Sequence, residues 1–340
     1  MTAVSFYLCL YAPHLWILYL SQVILSVGIT MADINFSTWL AKEIDVNAQD
    51  HKHTLDYYSH FDEEIRSIGG IISSLIFCIL TVAVNKCFFY EGVYIATVVL
   101  ILLLQIYLYI IPEHPNLKSY VRERDKSLNQ SIWSIIKPYN QILFLAISSI
   151  IWCAYQPLFS YWQPLLVDHN YKFDLHIVNN IELVLGVSFL TQNFTCLIFN
   201  EFAKRMADYR INFYILGAIL SCVGALCYFI IGHHTIKVWL CLLSCSILHG
   251  CMSVMWRIAR NQCLKNNDNF ILGRILSFSN IFSSITSIVL LGIISIYLDV
   301  MKLDTLFALS SIMLMIIAVL FMAWFKISTK AASVLAALVV

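Results

Sequence analysis

The chain has 340 residues, 60% of them hydrophobic and 12% charged, with a formal net charge of +1 and a mean hydropathy of +0.78. A soluble domain of this size is usually about 45–50% apolar and about 25% charged, so this composition excludes a soluble globular protein and predicts an all-α polytopic membrane protein. No basic run or stacking-aromatic module is present, so no nucleic-acid partner is expected, and the first partner is the lipid bilayer.

An apolar stub, residues 3–12, comes first and is too short to span a bilayer. Met1-Thr2-Ala3 has no positive charge, so the stub does not read as a signal peptide. Nine stretches then reach the about 20 apolar residues that cross the hydrocarbon core: residues 15–40, 67–85, 89–112, 141–166, 177–199, 211–231, 238–258, 275–298 and 304–325. With an outer N-terminus, 17 of the 21 lysines and arginines fall on the inner side, and only Lys86, Lys172, Lys237 and Lys302 on the outer. That asymmetry orients the spans and places the C-terminus in the cytoplasm, in a plasma membrane (the inner membrane of a bacterium).

Two inner segments are long. Residues 41–66 are of mixed charge, and their "HKH" at 51–53 has no standard metal spacing, so this segment reads as a solvated loop. Residues 113–140 hold "RERDK" and then "SIWSIIKPY", which reads as a short amphipathic turn on the membrane surface. Eleven cysteines, most of them inside apolar runs and without CxxC spacing, read as small packed hydrophobes, so no metal or cofactor is expected.

Polar groups within a bilayer are costly, and by default they mark a pathway or a functional contact. Asp33 is the one acid well inside span 15–40, about 10 Å from its inner end. It is a candidate proton carrier, with Glu182 near the outer end of span 177–199 as the second; the plainer alternative is a paired or interfacial carboxylate for Asp33 and simple solvent exposure for Glu182. Span 141–166 contains "YQPLFSYWQPLL", with Gln156 and Gln163 seven residues apart on one helix face. Their amides suit a polar solute, and Pro157 and Pro164 would each free a backbone carbonyl one turn earlier, giving a bend that can gate a cavity. Gln192 and Asn193 lie deeper in span 177–199, where hydrogen bonding between helices competes with solute contact. His249, with Met252 and Trp256 on its stripe, lies mid-span and is a further solute-binding candidate. Asn280 forms a small polar stripe with Ser277 and Ser284, which tight helix packing explains equally well. No HExxH, GxSxG, P-loop or catalytic pair is present, so the chain is not expected to be an enzyme.

In its order of spans and loops the chain resembles the major facilitator superfamily of secondary transporters. That family has twelve helices in two halves, joined by a long inner loop. Here the long inner loop 113–140 precedes six spans. The resemblance therefore assigns the nine spans to the family's helices 4 to 12 and the stub to the end of helix 3. "KRMADYR", Lys204 to Arg210, is similar to the family's degenerate loop motif after helix 8 in its acid-and-basic character, carried by Arg205, Asp208 and Arg210. Lys204 stands where the family has glycine, and Tyr209 where it has arginine. The resemblance implies alternating access by two rocking bundles, with helices 1, 4, 7 and 10 lining the cavity. Asp33, Gln156 with Gln163, and His249 lie on the spans matched to helices 4, 7 and 10.

The expected organisation is an incomplete N-terminal bundle over residues 1–112, a cytoplasmic central loop over 113–140, a six-helix bundle over 141–326 and a tail over 327–340. The unmatched first helices and the apolar run 331–340 lead us to expect a truncated chain, a misplaced start, or assembly with another chain; a complete protein would be a monomer. The expected function is secondary transport of a small solute, proton-coupled, with no ring of buried basic residues to favour a strongly anionic solute. The alternative is a polytopic protein without transport, either a sensor or a decayed transporter.

Overall fold

The computed structural model describes residues 51–83, 139–167, 181–208, 212–232, 238–265, 269–297 and 303–339, with isolated helical positions at 17, 20, 24, 95, 97–99, 101–103 and 106. They form seven long helices: α1 (His51–Ala83), α2 (Tyr139–Val167), α3 (Ile181–Asp208), α4 (Phe213–Ile231), α5 (Val238–Lys265), α6 (Asn269–Tyr297) and α7 (Leu303–Val339). The stub, spans 15–40 and 89–112 apart from those isolated positions, and loop 113–138 lie outside the described residues.

Among the described residues, six stretches are long and apolar enough to cross a membrane: Glu63–Val82, Gln141–Leu158, Leu183–Met206, Phe213–Ile231, Trp239–Cys263 and Asp304–Thr329. In α6 the apolar stretch among the described residues is the shorter Phe278–Leu290. Of the nine predicted spans, six are thus matched among the described residues.

Two helices, α1 and α7, run furthest past their predicted ends. α1 starts at His51, where a solvated loop was expected, and α7 continues through the apolar tail to Val339. Neither extension contains proline or glycine, so nothing in the chain stops a helix that the span has already nucleated.

Side-chain pairs set the helix directions. Tyr155 meets His249 and Trp152 meets Trp256, so α2 and α5 are antiparallel. Tyr214 meets Trp324 and Tyr228 meets Phe307, so α4 and α7 are antiparallel. Ser246 Oγ donates to Thr191 Oγ1 at 3.1 Å, and Gly250 abuts Thr195 and Phe199, so α3 and α5 are parallel. These directions are those of a chain that crosses a bilayer alternately.

The helix contacts have an internal symmetry. α2 packs on α6 and α7, as α5 packs on α3 and α4; α2 touches α5, and α4 touches α7. This pattern maps onto itself when α2–α4 are exchanged for α5–α7. Because the helices alternate in direction, the second triplet has the inverted topology of the first, an arrangement that places sites at the interface of the repeats.

Close approach depends on glycine at several crossings. A Cβ on Gly217 would lie 2.9 Å from the Phe321 ring, and one on Gly224 would lie 2.9 Å from Leu314 Cδ1, so α4 and α7 pack too tightly for larger residues there. Outside the repeats, α1 lies along α3. Gly70 faces the Asn193 amide, and a Cβ on Gly186 would lie 2.6 Å from Cys78 Sγ.

Candidate functional site

The two copies of the repeat meet along the α2–α5 seam, and a column of rings fills it. Phe144, Trp256, Trp152, Tyr155 and His249 follow one another at centroid distances of 6.3, 6.1, 6.3 and 5.5 Å, drawn from both helices. The Tyr155 hydroxyl and His249 Nδ1 are hydrogen-bonded across the seam. Since Nδ1 is the bonded nitrogen, a neutral His249 that accepts the Tyr155 proton carries its own on Nε2. The seam thus joins the repeats by a polar contact within an aromatic wall.

Gln156 follows Tyr155 and is half-buried, with no hydrogen-bond partner among the described residues. It lies one turn beyond Trp152, so the two share a face of α2. Trp152 is exposed and Trp256 half-buried. An indole face beside a free amide suits a flat or apolar solute that also carries a hydrogen-bonding group. Gln163 and Pro164 lie in the last turns of α2, at positions whose side chains are outside the described residues, as is Asp33 altogether.

Pro157 is buried, and α2 continues through it to Val167. The ring nitrogen has no proton to give the Cys153 carbonyl, so the ladder is weakened at this turn. From α4, the hydroxyl of fully buried Tyr228 donates to the Ala154 carbonyl. The Leu158 backbone N–H reaches the same hydroxyl, which is thus inserted into the rung next to the proline. Sequence reading located the defect but missed the tyrosine that repairs it. The signal was available: a proline in lipid demands an outside donor, and Tyr228 is the one tyrosine in the C-terminal half of span 211–231.

The remaining polar candidates are dispersed. Gln192 is buried, and its Nε2 reaches Ser188 Oγ one turn back at 3.4 Å. Asn193 donates to the Phe189 carbonyl at 2.8 Å and faces Gly70 of α1. Glu182 lies in the first turn of α3, where side chains are outside the described residues. Asn280 is half-buried on α6, but the buried serine stripe is one residue over, at Ser279, Ser283 and Ser287. Its Ser279 Oγ lies 2.8 Å from Ser148 Oγ on α2.

At the C-terminal end of α3, the "KRMADYR" segment is still helical as far as Asp208, with Arg210 outside the described residues. Arg205 Nε donates to Glu201 Oε1 at 3.0 Å, and Lys204 Nζ lies 3.5 Å from Glu64 Oε1 of α1. Arg257, which sequence reading counted among inner-side charges, is only 3% exposed. Depth along a span is legible from sequence, but rotation is not, and Arg257 turns inwards beside buried Asn261.

Comparison with curated proteins gives no match. The family model of the Major Facilitator Superfamily matches residues 1–267, a stretch that includes α1 to α5. The match covers well over half of the chain, and the described helices carry the membrane-spanning lengths and inverted triplets of a secondary transporter. The chain therefore belongs to the Major Facilitator Superfamily, a family of secondary transporters, and is a multi-pass integral membrane protein.

Proposed function

We propose that the protein moves a small solute across the plasma membrane by alternating access, and that the solute binds along the α2–α5 seam. The observation that carries this is the Tyr155–His249 hydrogen bond, which ties the two inverted triplets together inside a ring-lined wall. Gln156 supplies a donor and an acceptor, and Trp152 and Trp256 supply flat apolar surface. When the triplets rock, this seam has to change shape, so a solute held there experiences both conformations.

In this proposal Asp33 is the proton carrier, with Glu182 second, and transport is proton-coupled. Gln163, Gln192 and Asn280 line the remainder of the route, and Pro157 and Pro164 shape the gate. Arg205, Asp208 and Arg210 act at the inner face. The C-terminus is cytoplasmic, residues 141–326 act as one bundle, and the working unit is a monomer.

The test starts from the purified full chain in detergent. A panel of amphipathic, aromatic and carboxylate solutes is screened for an increase in Tm, and each hit is then measured for uptake into proteoliposomes with and without a pH gradient. A hit whose effect is lost in Gln156→Ala and Trp152→Ala supports a solute site on this seam. Hits that stabilise these variants and the wild type equally place the solute elsewhere, and binding without uptake favours a sensor.

A further inference from the structure

Of the eleven cysteines in the chain, only Cys241 and Cys245 stand three or four residues apart. Both belong to α5, so the four-residue step sets them one turn apart on one face of a single helix. Neither reaches the surface, at 0% and 1% exposure. Their thiols lie within hydrogen-bonding reach of each other, and buried Cys227 of α4 is within electrostatic reach of Cys245. All three are reduced.

His249 follows Cys245 by one further turn on the same face of α5. Tyr155, which is bonded to His249, also lies within electrostatic reach of Cys245. This face of α5 therefore presents sulfur, sulfur and imidazole at successive turns, and the sulfur pair adjoins the α2–α5 seam.

Donor type and donor number together select the ion. Thiolates favour soft, thiophilic cations such as Cu(I), whereas calcium and magnesium take oxygen ligands. Zinc needs three or four protein ligands. Among the described residues no three His, Cys, Asp or Glu side chains are placed to hold one ion, so zinc is the poorer occupant. A monovalent d10 ion in linear coordination needs only two sulfurs.

We propose that Cys241 and Cys245 bind one thiophilic monovalent cation of the Cu(I) or Ag(I) class between their two sulfurs. The exchange balances without a redox step. Two S–H bonds break, two sulfur–metal bonds form and two protons leave for solvent. The S–M–S unit keeps one negative charge, spread over its covalent bonds. Both donors stand on one rigid helix, so little ordering is needed to bring them together. The site uses neither Gln156 nor the indoles, and it goes beyond the proposed solute reading.

The experiment is transfer of Cu(I) from its bicinchoninate complex to the purified full chain in detergent, without oxygen, with Ag(I) as a redox-inert check. Three proteins are compared: the wild type, Cys241→Ser/Cys245→Ser, and the control Cys251→Ser/Cys263→Ser. The control loses two buried thiols of α5 that are too far apart in the helix to share an ion. Serine suits such positions, because Ser148, Ser221 and Ser246 each donate to a carbonyl three or four residues back. The expected result is a single Cu(I) held against the chelator by the wild type and the control, and lost in Cys241→Ser/Cys245→Ser. X-ray absorption of the loaded wild type is the second readout and needs no variant. Two sulfur neighbours and no others support the pair. A centre with three or more ligands, or with nitrogen or oxygen neighbours, overturns it. Retention by Cys241→Ser/Cys245→Ser equal to that of the wild type, or no Cu(I) held by the wild type, also overturns it. None of these readouts depends on transport, so the metal site and the proposed function fail separately.

Discussion

The hydroxyl of Tyr228 on α4 donates to the backbone carbonyl of Ala154 on α2, three residues before Pro157. Removal of that oxygen alone, in Tyr228→Phe, keeps the ring stacked on Phe307 and leaves the carbonyl unmet. We expect a loss of about 1–3 kcal/mol, read as a lower Tm in detergent, with hydrogen exchange rising first in residues 154–167. An exchange profile that rises evenly over all helices would show that the bond has no local role at the bend.

The Tyr155–His249 pair is predicted to couple the two triplets energetically. Tyr155→Phe, His249→Ala and the double variant form a cycle, and we expect a coupling of about 0.6 kcal/mol, the usual size for a polar pair between membrane helices. Reversible unfolding in mixed micelles measures it. Strict additivity would mean that the two groups touch without stabilising each other.

Gly186 admits Cys78 of α1 at a distance no side chain tolerates. Gly186→Val is therefore expected to destabilise the α1–α3 contact by about 1–3 kcal/mol through overpacking. Cys78→Ala removes the nearest atom, so combining the two should restore part of the loss. Thermal denaturation of the four proteins decides this, and a loss that Cys78→Ala does not relieve points to another clash, such as the Phe77 ring.

The Glu64–Lys204 pair joins the same two helices at 3.5 Å, with both side chains partly exposed. Its contribution is expected to stay below about 1 kcal/mol and to shrink with salt. Lys204→Ala should thus lower Tm slightly at low ionic strength and scarcely at high. A large, salt-independent loss would show that the pair is shielded from solvent.

What sequence could and could not supply follows from two kinds of information. Hydropathy and charge asymmetry read one coordinate, depth in the bilayer, and that was enough for the spans matched among the described residues and for the family. The rotation of each helix is set by its neighbours and leaves a weaker trace. For Asn193 the sequence left solute contact and helix packing open, and it packs on Gly70 of α1, a residue more than a hundred positions away. The serines of α6 recur so often that two adjacent stripes looked alike, and only contact with Ser148 singles out Ser279, Ser283 and Ser287. Arg257 sits near an inner helix end and reads as a surface charge, but its face of α5 is covered. Tyr155 entered only as the first letter of the "YQPLFSYWQPLL" stretch, because its role depends on His249, on a helix matched to the other repeat. Helix length was misjudged for a simpler reason: apolarity marks the hydrocarbon boundary, whereas a helix ends only at a breaker, and α1 and α7 meet none.

The most direct test is uptake of an identified solute into proteoliposomes holding the full chain, under an imposed pH gradient, for the wild type, Gln156→Ala, His249→Ala and Lys204→Ala. A solute site on the α2–α5 seam predicts gradient-driven uptake that falls at least about tenfold in the first two variants, the loss of about 1.4 kcal/mol of binding, and persists in Lys204→Ala. Wild-type uptake in both seam variants would contradict it.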